Sequence, residues 1–258
     1  MIYAQSLERA RLSPPRVVNK KEFVGVVTDL LVTDANSAPR PQSFLVEQSA
    51  NWTLPTHFHL EHQFQVFMGG SGSLGRTPIH PLTVHYASPH SGYGPLISEG
   101  KGISYFTLRA MSDTGAWYLP ESREHLKTGI KKQQAHGHPS KLVSTDFLKA
   151  SLAPSQETLI ELNEGGLGAW LLRLPPNTTT AAPQGQALGG GRFYVVCKGA
   201  AMIQQALLPA WATAFVSPNE ILDIESGPEG LEVMVLQFPA SALITPPAIS
   251  QPVSQQTP

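Results

Sequence analysis

The sequence holds a single cysteine, Cys197, among its 258 residues, so no disulfide can form within the chain and the staple of small secreted domains is excluded. Charge is scarce too. Asp, Glu, Lys and Arg make up 14% of the residues, against roughly a quarter in an average globular protein. The formal net charge is −1, which supplies neither a basic face for nucleic acid nor an electrostatic grip on an anionic membrane. No hydrophobic run approaches the roughly 18 residues that a membrane-crossing helix needs. The opening stretch MIYAQSLERARLSPPRVV has no apolar core of the signal-peptide kind. A cytoplasmic location is expected, with no nucleic-acid and no membrane partner.

What the sequence does have is apolar residues and punctuation. Hydrophobic residues reach 41%, enough for a sizeable core. With 23 Pro and 22 Gly, the chain is interrupted often, which favours many short strands joined by turns over long helices. Five regions follow from composition. Residues 1–20 are polar and Pro-broken, an arm or a peripheral strand. Residues 21–110 alternate short apolar runs with Gly and Pro. Residues 111–150 carry much of the charge (YLPESREHLKTGIKKQQAHGHPSK) and read as a linker with one short helix. Residues 151–240 return to short strands, and 241–258 have the Pro, Ser and Gln bias of a flexible end.

The two β-rich regions repeat each other. QFQVFMGGSG from Gln63 aligns with RFYVVCKGAA from Arg192, and YASPH ending at His90 aligns with FVSPN ending at Asn219, both at an offset of 129. GISYFTLR from Gly102 aligns with GLEVMVLQ from Gly230 at 128. Three segments in one order at nearly constant spacing predict an internal duplication, two all-β domains in tandem.

The densest group of ligand-type side chains is THFHLEHQFQVFMGG, Thr56 to Gly70. His57 and His59 are one residue apart, so on a strand both imidazoles project from one face and can offer two nitrogens to one metal ion. A third histidine, His90, lies in the turn-like YASPHSGYGP. The pattern His57-x-His59, then Gln63 after three residues and Gly70 after six more, resembles the first motif of the cupins, with Gln where the motif has Glu. SPHSGYG around His90 resembles the second motif more loosely.

The resemblance implies an all-β fold of two tandem antiparallel β-barrels of the cupin type (double-stranded β-helix, or jelly roll) with a partly helical linker. It implies one divalent transition metal, Fe first, with Mn, Ni or Zn as alternatives, held by His57, His59 and His90 with Gln63 as a fourth ligand. A Gln amide is neutral and a weaker ligand than a carboxylate, so such a site holds a more positive ion. Gln63 and Gln65 are the residues expected to orient substrate or water. The second barrel is expected to lack a metal, since Arg192 stands for Gln63, Asn219 for His90, and Gln184 and Gln186 for the paired histidines.

Two functions from different classes remain open. One is a non-haem metal-dependent oxygenase acting on a small organic substrate, with an isomerase as a variant. The other is a non-catalytic binding or sensing barrel whose metal is structural or absent. Cupins often associate through sheet edges, so a homodimer is also an expectation. Other residues have plainer readings: His62 as a turn residue facing solvent, Tyr93 as a turn aromatic, Arg109 as a strand end, His136 and His138 as a solvated loop, and Cys197 as inert packing.

Overall fold

In the computed structural model, residues 1–32, 40–113, 115–183, 189–218 and 220–244 are described. Two units account for them: Pro14–His136 in one, and Met1–Ser13 together with Gly137–Leu243 in the other. Among the described residues no helix is long and apolar enough to cross a membrane.

The first unit is built on an antiparallel sheet whose central order is Val84–Ala87, Gln63–Leu74, Leu96–Arg109, Gln42–Gln48 and Val24–Leu31, with Arg16–Asn19 at one edge and Gln134–Gly137 at the other. A separate two-stranded piece pairs His57–Phe58 with Trp117–Tyr118. The second unit repeats the central order as Thr213–Val216, Gly189–Ile203, Ile224–Pro239, Gly168–Leu174 and Ser155–Ile160, and Ile2–Gln5 pairs with Thr213–Val216. The first twenty residues are therefore shared out, Ile2–Gln5 to one sheet and Arg16–Asn19 to the other. The charged stretch after residue 110 holds the helix Thr145–Ala150, whose first turn is capped by the Ser144 hydroxyl accepting from the Phe147 amide at 3.2 Å. It also holds the edge strand Gln134–Gly137. Main-chain pairing at an edge needs no apolar side chains, so composition gave no sign of it.

Alternation along three neighbouring strands sets what faces the interior. In the first unit Gln42 is opposite Arg109, Phe44 opposite Thr107, and Val46 opposite Tyr105. Thr107 and Tyr105 are in turn opposite Gln65 and Phe67. The second unit has the same rows: Gly168–Gln237–Arg192, Trp170–Val235–Tyr194 and Leu172–Val233–Val196. Its interior is apolar below the first row, filled by Trp170, Leu172, Leu174, Val196, Leu231, Val233 and Val235. Cys197 lies on the opposite face of its strand, buried, with its thiol on the Val195 carbonyl, and burial pushes its pKa far up, so it is inert.

The duplication is most exacting at two glycines. Gly70 has φ +80°, and a Cβ there would stand 2.0 Å from the Gly102 carbonyl oxygen; Gly199 has φ +68° and the same 2.0 Å to the Gly230 oxygen. Both pairs sit at bulges where two long strands cross-pair irregularly. Gly70→Ala is expected to destabilise the chain by about 2–3 kcal/mol, combining left-handed strain with a backbone clash. Urea unfolding checks this, and a loss below about 0.5 kcal/mol would contradict the clasp.

Candidate functional site

The first unit encloses a cavity of about 140 Å³. One wall is apolar and aromatic, with Val18, Phe23, Val27, Phe44, Val46, Leu54, Tyr105 and Tyr118; the other end is polar, with His57, His59, Gln63, Gln65, Tyr93, Thr107, Arg109 and Asp113. His57 and His59 reach it together because Phe58 between them points the other way. The strand is held from both sides, by the Trp117–Tyr118 pairing and by a bridge in which the amides of His57 and Tyr93 donate to each other's carbonyls at 3.1 and 2.9 Å.

Each imidazole is tied at Nδ1. His57 Nδ1 donates to the Pro55 carbonyl at 2.8 Å, which leaves Nε2 to accept from the Tyr93 hydroxyl at 3.0 Å. His59 Nδ1 donates to Asp113 Oδ2. Burial, then the neighbouring His59, lowers the His57 pKa to about 3, so it is neutral. His59 is also lowered, by burial and then by Arg109.

The centre of the polar end is Arg109. Its Nε and Nη2 donate to Gln63 Oε1 at 3.1 and 2.5 Å, and its Nη1 donates to Gln42 Oε1 at 2.7 Å. Nη2 also lies 3.2 Å from His59 Nδ1 and 3.7 Å from Asp113 Oδ2. Burial works against ionising Asp113, but His59 and Arg109 together hold its carboxyl below the usual range. The Gln63 amide is fixed at both ends, since its Nε2 donates to the Tyr93 hydroxyl at 2.6 Å. Gln65 lines the cavity and accepts from His85 Nδ1 at 2.9 Å.

His57, His59, Gln63 and Gln65 are thus brought together, and His90 is not. Its amide donates to the His59 carbonyl at 2.8 Å, but its ring stacks on Phe58 at 5.6 Å, on the face turned away from the cavity. The turn sets this direction: His90 has φ +59°, and strand alternation does not carry through such a residue. The expected three-histidine set is not assembled, and among the described residues no group of three or more His, Cys, Asp or Glu is placed to hold a metal ion. Gln184, Gln186 and Asn219, expected to mark the metal-free second barrel, lie outside the described residues.

Three plainer readings change. His62 is part-buried and its Nδ1 meets the Tyr86 hydroxyl at 2.5 Å rather than facing solvent. Tyr93 is a buried bridge between His57 and Gln63, and Arg109 points inward. Asp113 had no sequence signal beyond its place four residues after Arg109.

The donor set does not fit a resident divalent cation. Two of the candidate ligands, His59 and Gln63, already face a permanent guanidinium cation, His57 Nε2 faces a hydroxyl, and the third histidine is elsewhere. A second cation about 3–4 Å from Arg109 in a buried site would meet strong repulsion.

No family model matches the sequence, and no curated protein matches it. Solved structures do share the fold. A putative dioxygenase from Nostoc punctiforme aligns at 11% identity over 94% of this chain and 84% of its own, with a TM-score of 0.57. The bacterial pirin of Escherichia coli, solved in complex with nickel(II), aligns at 13% identity over 93% and 99%, with a TM-score of 0.53. Salicylate 1,2-dioxygenase from Pseudoaminobacter salicylatoxidans, solved with gentisate, aligns at 12% identity over 92% and 81%, with a TM-score of 0.54.

Proposed function

On the cupin fold, which this all-β chain has, we propose that residues 14–136 bind a single-ring-sized organic molecule without a resident metal ion. The observation that carries this is the Arg109 guanidinium, seated among His57, His59 and Gln63 where the resemblance would have a metal. The cavity of about 140 Å³ is close to the roughly 150 Å³ that accommodates benzene in an apolar protein interior. Its aromatic wall suits a flat apolar body. Asp113 Oδ1, buried and without a hydrogen-bond partner among the described residues, suits a hydroxyl or amine on that ring.

The test has two parts. Protein purified without a metal-binding tag, from medium supplemented with Fe, Mn, Ni and Zn, is expected to carry far less than one metal per chain by elemental mass spectrometry. Phenol is expected to raise its unfolding temperature more than toluene does, with the difference lost in Asp113→Asn. Equal responses to phenol and toluene would remove Asp113 from the reading.

A second reading is the metal-dependent oxygenase. One observation favours it: Pro55 and Asp113 fix both imidazoles at Nδ1, the outer-shell arrangement that leaves Nε2 for a metal. About one transition metal per chain, lost in His57→Ala, would establish this reading and overturn the first.

A further inference from the structure

The polar end of the cavity in residues 14–136 is only partly closed on itself. Arg109, Gln63, Tyr93 and His57 direct their donors at one another or at Gln42 and Pro55. Two residues further along the same strands, Gln65 and Thr107 do not. Both are buried and both line the cavity. The strand pairing sets them directly opposite each other, with Cβ atoms about 5 Å apart and side chains on one face.

Gln65 Oε1 accepts from His85 Nδ1 at 2.9 Å, which fixes the amide and leaves its Nε2 without a hydrogen bond among the described residues. The Thr107 hydroxyl also makes none among them. Neither atom is enclosed by protein on all sides, so each keeps surface towards the cavity. An amide nitrogen can only donate, and a hydroxyl can turn to donate beside it. Water in the cavity can occupy these donors, and a ligand that displaces it must replace its hydrogen bonds or lose affinity.

Given a ring-sized ligand in this cavity, as proposed above, we infer that it carries a neutral carbonyl oxygen held between Gln65 Nε2 and the Thr107 hydroxyl. A carbonyl oxygen has a lone pair for each donor. A carboxylate would bring a second negative charge into the cavity that already holds Asp113. Phe44, opposite Thr107 on the other side and part of the aromatic wall, offers its face to the ring that bears the carbonyl. The acceptor that Gln65 requires is independent of the donor that suits Asp113.

Benzaldehyde and toluene share the ring and differ in the carbonyl oxygen, and calorimetry at room temperature reads their binding to the full chain. Leaving water costs benzaldehyde more than toluene, so equal affinities already mean that the protein meets its oxygen. Benzaldehyde is expected to bind at least as tightly as toluene. Thr107→Val, which exchanges only the hydroxyl for a methyl, should weaken benzaldehyde about fivefold, and Gln65→Leu by about the same factor or more, with toluene changed less than about twofold. Gln65→Leu also strands the His85 Nδ1 proton, so Thr107→Val decides if that variant fails to fold. Benzaldehyde at least about fivefold weaker than toluene, or indifferent to both substitutions, would overturn the carbonyl and leave the cavity reading standing. No binding of benzaldehyde, toluene or phenol below about 10 mM would overturn both.

Discussion

Arg173→Met is expected to destabilise the chain by about 3–5 kcal/mol, because it strands a buried carboxylate. Glu232 is fully buried in the second unit, and Arg173 Nε donates to its Oε1 at 2.9 Å. The same guanidinium donates to Glu157 at 3.2 Å and to the Lys141 carbonyl at 2.8 Å, so one side chain ties three segments. Lys198, at 3.2 Å from Glu232 Oε2, is the remaining cation; its side chain is 32% exposed and partly solvated, so it compensates only in part. That places the expected loss at the lower end of the range. The double variant Arg173→Met, Glu232→Leu should recover most of it, since the penalty belongs to the unpaired charge and not to the absence of an ion pair. Urea unfolding of both variants reads this directly, and a loss below about 1 kcal/mol in the single variant would show that Glu232 finds water or another partner.

Acid should destabilise the chain steeply. Burial holds His57 and His85 down to about 3 and His62 down to about 4. All three are neutral in the folded chain at pH 5 to 6, while their unfolded counterparts bind protons below about 6.5. The unfolded state then carries more protons, so stability present above pH 6.5 is lost as pH falls towards 4 and 3. Glu61 works the other way. Burial, then the neighbouring Asp113, raises it to about 8, so its folded form keeps a proton that the unfolded chain releases above about 4.5. Its contribution is complete below that pH and fades as pH rises through 8. Three imidazoles against one carboxyl leave a net uptake of about two protons on unfolding between pH 6 and 5, a loss of about 2–3 kcal/mol over that unit. The stability maximum should fall near pH 6.5, with a gentler decline towards pH 8. Unfolding midpoints at pH 5, 6, 7 and 8 map this curve, and a midpoint unchanged between 6 and 5 would rule out neutral buried imidazoles.

The sequence carried the fold through repetition. An offset of 129 or 128, read from apolar runs ending in glycine, lands on Gly70 and Gly199, on Gly102 and Gly230, and on the Arg–Gln pairs Arg109–Gln63 and Arg192–Gln237, exchanged between strands. These positions are legible because backbone clashes and strand rows constrain them in both copies. The pairing of His57 with His59, and of Gln63 with Gln65, followed from strand alternation, which the structure keeps. Three things did not follow. His90 sits in a turn of positive φ, where alternation gives no direction. Asp113 lies past the end of the strand Leu96–Arg109, in a stretch with no period to place it. Arg109 ends an apolar run, a position that suits a solvent-facing cation as well as a buried one. Only the rows across Gln42 and Gln63 show which of these it is.

The pairing of Ile2–Gln5 with Thr213–Val216 has a consequence for biosynthesis. Ala4 meets Ala214, so this strand waits for a partner about 210 residues downstream, roughly 10–40 s at ordinary rates of translation. Within that interval Pro14–His136 has left the ribosome and can close on its own contacts. The waiting segment is only four residues long and carries a glutamine, a short and partly polar edge that limits stray pairing with other nascent chains.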